Sequence, residues 1–233
     1  MASLVLVALA GCTTTQQEAA RLRLNSARLR ATEESVRVLA SSRTVEVSQV
    51  SVVTDRTGSA VVVRLQNTGP RAVSDLPISL ALISRGGRRR DLNGSPGLGY
   101  FATHLPAVPA GGGLSWVYTT NRHLPAAARV TAAIGSAASV PLPRLGSLPR
   151  VVATVGPPLA DGRLPVRIRN TSPVPQYQLG VFAVVQRGRR YVAAGQTTVG
   201  ALAAGADREL LVKLVGDSAH AVVAVQSPPT IFG

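Results

Sequence analysis

Cysteine occurs once in 233 residues, at Cys12. No intrachain disulfide can form, whatever the redox state of the surroundings, so stability must come from burial. Aromatic residues make up 3% of the chain, so any core is built from Val, Leu, Ile and Ala. No window of about 18 consecutive apolar residues follows Cys12, and no spanning helix is expected. The three histidines, His104, His123 and His220, stand at no metal-ligand spacing, so neither a metal nor another cofactor is expected. No Gly-x-Ser-x-Gly nucleophile elbow occurs. Gly94-Ser95-Pro96-Gly97-Leu98-Gly99 is not followed by the Gly-Lys-[Ser/Thr] of a phosphate loop. The acids Asp55, Asp75, Asp91, Asp161, Asp207, Glu209 and Asp217 are scattered. No catalytic residue is assigned, and no enzymatic role is expected.

What is present points to β structure. Apolar residues reach 45%, enough for real cores, and Val is prominent among them. With 22 Gly and 16 Pro to mark turns, the composition reads as mainly β. The formal charge is +14, and only Lys213 among the 25 basic residues is not arginine. A pI near 11.6 favours anionic lipid headgroups, anionic wall polymers or nucleic acid, the last least of all in an exported protein. The charge is spread evenly along the sequence. Residues 13–43 carry six Arg against three Glu, 44–147 ten Arg against four acids, and 148–233 nine basic residues against four acids. An even spread argues against a dedicated nucleic-acid domain, and no nucleic-acid partner is expected.

From Gln16 to about Ser41 there is no Gly or Pro, and good helix formers dominate, which predicts a helix over 16–41. Leu22, Leu29 and Val36 recur every seven residues, too short a run for a sustained coiled coil. From Thr44 the period changes to two. Val61, Val63 and Leu65 recur at every second position, with Arg64 and Gln66 between and after them, as do Leu76, Ile78, Leu80 and Leu82, then Leu114, Trp116 and Tyr118. The pattern then repeats. Val63-Arg64-Leu65-Gln66-Asn67-Thr68 matches Val166-Arg167-Ile168-Arg169-Asn170-Thr171, and the basic turn after Ser84 matches that at Arg187. Val140-Pro141-Leu142-Pro143 to Pro149 reads as a linker between two duplicated units. The expected organisation is a β-sandwich domain over 44–140, a linker over 141–149 and a second β-sandwich domain over 150–233. Asn67 and Asn170 read as turn residues and Trp116 as core.

Leu9-Ala10-Gly11-Cys12, after the apolar run Leu4 to Ala8, resembles the lipobox of bacterial lipoproteins. The resemblance implies that residues 1–11 are a signal peptide, that Cys12 receives the lipid, and that 12–43 are anchor and helical stalk. Met1-Ala2-Ser3 lacks the basic residues that usually open such a signal. A signal start upstream of Met1 is left open. The implied location is the exported side of a cell membrane or outer envelope, the membrane itself being a partner through the lipid. Arg21, Arg23, Arg28 and Arg30 near Cys12 would each add about 1 kcal/mol of attraction to an anionic bilayer.

The order of strands and turns over about 44–226 resembles the small immunoglobulin-like modules of the FxLYD and CARDB kind. That implies tandem immunoglobulin-like β-sandwiches after an N-terminal helix, serving adhesion or scaffolding. The best binding candidates are the basic turns, Arg85, Arg88, Arg89 and Arg90 in the first unit and Arg187, Arg189 and Arg190 in the second. Guanidinium groups pair phosphate or carboxylate bidentately, so an anionic lipid or cell-wall polymer is the expected ligand. The leading expectation is a lipid-tethered, non-enzymatic binding or scaffolding module at the cell envelope. The alternative is an accessory subunit that docks on an envelope protein partner through the 16–41 helix.

Overall fold

The computed structural model describes Leu22, Val38 and residues 40–125, 129–136 and 148–230. The chain is mainly β. Its first half forms β1 (Val45–Asp55), β2 (Gly58–Asn67), β3 (Leu76–Ile83), β4 (Arg89–Asp91), a 3-10 turn (Tyr100–Ala102), β5 (His104–Leu105), β6 (Gly113–Thr120) and β7 (Arg129–Ile134). Its second half forms β8 (Val151–Val155), β9 (Arg163–Asn170), β10 (Gln176–Arg187), β11 (Arg190–Leu202), β12 (Asp207–Lys213), β13 (Val215–Gly216) and β14 (Val222–Gln226). Cys12 and residues 141–147 of the expected linker lie outside the described residues. So does the helix expected over 16–41, apart from Leu22, Val38, Ala40 and Ser41. The last three are not helical, which corrects the expected end of that helix. The reason is pairing: Ser41 bridges to Gly135, and Ser42 N–H donates to the Ile134 carbonyl at 2.8 Å.

The two halves repeat one another in space. In the first, an antiparallel sheet β1-β2-β6 faces a second sheet in which β3 pairs with β4, β5 and β7. In the second, β8-β9-β12 faces β13-β11-β10-β14. Thus β9 stands where β2 stands, and β10 where β3 stands. Each unit turns its corner on a buried asparagine. The Asn67 Nδ2 donates to the Arg71 carbonyl at 2.8 Å and the Pro109 carbonyl at 3.1 Å, while its Oδ1 accepts from Gly69 N–H at 3.0 Å. The Asn170 Nδ2 donates to Val174 at 2.8 Å and Ala203 at 3.2 Å, and its Oδ1 accepts from Ser172 N–H at 3.1 Å. A short amide side chain serves these groups from inside the turn, and buried backbone groups require such partners.

Each unit has its own core. In the first, Val61, Val63 and Leu65 point inward with Leu114, Trp116, Ile78 and Leu80. Trp116 is fully buried, and its Nε1–H donates to the Phe101 carbonyl at 2.9 Å. In the second, Leu164, Val166 and Ile168 meet Leu179, Val181, Val185 and Val212.

The units are also packed on each other. The outer side of β1-β2-β6 presents Val53, Ala60, Val62 and Val117, which join Phe182, Val184, Tyr191, Ala194 and Val215 from the second unit in one continuous apolar cluster. This explains why β2 reads Ala60-Val61-Val62-Val63 without alternation, for it is buried on both faces. Phe182 meets Phe101 edge to face, centroids 6.3 Å apart. Polar groups pin the seam: Asp55 Oδ2 accepts from Gly216 N–H at 2.7 Å, and Gln226 Oε1 accepts from Ser115 N–H at 2.7 Å. Gly216, at φ 108, lies so close that a Cβ there would sit 2.6 Å from Val53 Cγ1. The result is four stacked sheets, with a face of one unit set against the non-equivalent face of the other.

Candidate functional site

The arginine turns are hairpin tips. Between β3 and β4, Gly87 takes φ 77, and Ser84 Oγ accepts from Arg88 N–H at 3.1 Å. Between β10 and β11, Arg187 pairs with Arg190 across a two-residue loop whose first position, Gly188, takes φ 61. Glycine suits both positions because positive φ carries no steric penalty without a Cβ. Arg85, Arg88, Arg89, Arg90, Arg187, Arg189 and Arg190 are all exposed.

The fold brings the two tips to one end of the molecule. β3 runs back from the Asn67 corner, so its tip lies with the β1–β2 turn at Asp55–Gly58. β10 runs back from the Asn170 corner in the same way. The Asp55–Gly216 hydrogen bond then aligns the two ends, because Gly216 pairs with Ala193 beside the β10–β11 tip. Arg56 in the β1–β2 turn, Arg122 after β6 and Arg129 at the start of β7 share this end. Arg163 and Lys213, paired across β9 and β12, share it too. Among the described residues, this hairpin end holds twelve basic residues against four acids, a formal +8, and the remainder holds seven against four.

The four acids leave most of that charge unpaired. Asp161 takes Arg163, Asp217 takes Arg187 at 3.3 Å, and Asp91 takes Arg89 at 3.5 Å. Hydrogen bonds from the Ala219 N–H and Arg187 hold the Asp217 carboxyl below its usual range, and the Arg163 N–H does the same for Asp161. Burial opposes the charge on Asp55, but hydrogen bonds from Gly216, Thr57 and Gly58 outweigh it and keep its pKa low. Arg85, Arg88, Arg90, Arg189 and Arg190 form no ion pair with another described residue.

Three residues that sequence reasoning did not join also meet. The Tyr100 hydroxyl donates to Asp75 Oδ1 at 2.5 Å, and its ring stacks on His104 with centroids 4.5 Å apart. Burial lowers the His104 pKa, partly opposed by the nearby Asp75 charge. Asp75 sits at φ 57, a conformation that short polar side chains tolerate. His123 and His220 are exposed. Among the described residues no group of three His, Cys, Asp or Glu side chains is placed to hold a metal. No helix among them is long and apolar enough to cross a membrane. A shallow groove of about 450 Å³ lies on the outer side of β8-β9-β12, between Thr154, Val155, Pro165, Arg167, Glu209 and Leu211.

No family model and no curated protein matches the chain. Among solved structures, that of a transglutaminase from red sea bream is similar at 19% identity, covering 78% of this chain and 31% of that one, with a TM-score of 0.22. The chain therefore spans about a third of that protein's length. The expectation of no enzymatic role is corrected by this finding, since the neighbour is an enzyme. At that TM-score the likeness assigns neither an activity nor a residue to this chain.

Proposed function

We propose that the chain is an exported lipoprotein, held to a membrane by acyl chains on Cys12, whose two tandem immunoglobulin-like β-sandwiches form a binding or scaffolding module at the cell envelope. The observation that carries the binding role is the gathering of both arginine tips, exposed and largely unpaired, at one end of a doubly cored body. Guanidinium groups fixed on rigid hairpins suit phosphate or carboxylate groups arrayed on a surface or polymer. The tether rests on the run Leu9-Ala10-Gly11-Cys12. Two acyl chains suffice for stable attachment, at roughly 0.8 kcal/mol per buried CH₂.

Cosedimentation of the lipid-free chain with anionic vesicles and with isolated cell wall tests the binding role. Binding to at least one should fall with salt. It should also fall when Arg88, Arg89, Arg189 and Arg190 are changed to Ser. Equal binding by both proteins, or binding indifferent to salt, would leave these arginines as a solvated surface.

A further inference from the structure

We propose that the cationic end faces away from the anchoring bilayer and engages a polyanionic chain beyond it, not the headgroups of the membrane that holds the lipid. This rests on the lipoprotein reading above and deepens it. The segment carrying Cys12 joins the fold at Ser41–Thr44. There Ser42 is tied to Ile134, and Thr68 N–H donates to the Thr44 carbonyl at 2.8 Å beside the Asn67 corner. The last described residue lies at the same end: Thr230 N–H donates to Gln176 Oε1 at 2.8 Å, at the start of β10. Ser42, Thr44 and Thr230 thus belong to the corner end, and both arginine tips to the opposite one.

With the tethered corner end nearer the bilayer, the length of the body sets the field at the tips. β1 spans the body from the corner end to the hairpin end in 11 residues. At roughly 3.3 Å per step, the ten steps between its ends cover about 33 Å. The Debye length at physiological salt is about 8 Å, so a headgroup field is screened through some four Debye lengths before it reaches the tips. The tips therefore respond to anions brought to the distal end. Two clusters on one rigid face, with Arg56 and Arg122 beside them, fit a flexible chain of repeated phosphate or carboxylate groups that can lie across both.

The test uses the full-length protein, lipidated in cells and reconstituted in vesicles. A dye is placed by Gly86→Cys at the first tip, where a side chain meets nothing within 4 Å, or by Ala203→Cys at the exposed corner end. A headgroup-borne quencher should quench the dye at position 203 and spare that at 86. Added long-chain inorganic polyphosphate should bind the tethered protein, and polyglutamate in a parallel arm separates phosphate from carboxylate recognition. Changing Arg88, Arg89, Arg189 and Arg190 to Ser should flatten the slope of log K against log salt by about 3. Raising phosphatidylglycerol in the same bilayer should not compete. Quenching at position 86, or competition by the bilayer's own anionic lipid, overturns the proposal alone. Absence of fatty-acid label on the wild-type protein overturns the tether and this proposal with it. Tighter binding of single-stranded DNA than of polyphosphate at equal charge reassigns the partner.

Discussion

Replacing Phe182 with Ala should destabilise both sandwiches together. The side chain is 1% exposed and lies on the outer side of β10, in the apolar cluster shared with the first unit. Truncating a buried Phe costs about 3–5 kcal/mol, the transfer of the lost ring plus the cavity left behind. The upper part of that range is expected here. Gly180 lies directly beneath the ring, where even a Cβ would come within 2.9 Å, so no side chain stands there to fill the hole. For a chain of this size each kcal/mol shifts Tm by roughly 2–4 °C, which gives a fall of about 6–20 °C. Circular dichroism and calorimetry of the full chain should show one transition moved as a whole. The same substitution in an isolated 148–233 fragment should cost little, because there the ring faces water. Two separate transitions in the wild type, of which only one moves in Phe182→Ala, would refute the shared interface.

Changing Cys12 to Ala should abolish incorporation of labelled fatty acid; label retained by the variant, or missing from the wild type, removes the anchor. Changing Asn67 or Asn170 to Ala should cost about 1–3 kcal/mol each, since buried carbonyls lose their donor, and urea unfolding should show equal losses at the two corners. His104 has a folded pKa below its ordinary value of about 6.5, so the unfolded chain takes up its proton first; stability is full above that pH and falls as pH drops toward the folded value. Tm recorded from pH 8 to 5 should decline over that window in the wild type and decline less in His104→Gln, and identical slopes would clear His104 of the effect.

The strands that alternate were legible because each buries one side only, as Leu76, Ile78 and Leu80 do. The duplication was legible in the two Asn-Thr corners, whose hydrogen bonds demand the same side chains twice. The packing of one unit on the other left its trace in Ala60 to Val63 and Leu179 to Val185, runs buried on both faces. A continuous apolar run does not reveal what covers it, so the partner sheet was not readable. The cationic end was hidden for another reason. Charge spread evenly along a chain says nothing about which turns share an end. Here reversal at each corner, with the Asp55–Gly216 alignment, collects residues as far apart as Arg56 and Arg190. The Asp75–Tyr100–His104 cluster brings Asp75, at positive φ, to two residues 25 or more positions further on, which no local pattern signals.

The stacking of unlike faces carries a rule for growth. A repeat that sets one face against the opposite face of its copy has no built-in end, and a third copy would extend it. Counting from the two asparagines, Ala60 and Thr119 on the covered face of the first unit correspond to Arg163 and Lys213 on the open face of the second. A further sandwich laid there would strip water from two cations, at several kcal/mol each, against the apolar contacts of Val152, Pro165 and Leu211 gained in return. The open face of the second unit is in this sense a poor seat for a further copy, because it has diverged from the covered face of the first.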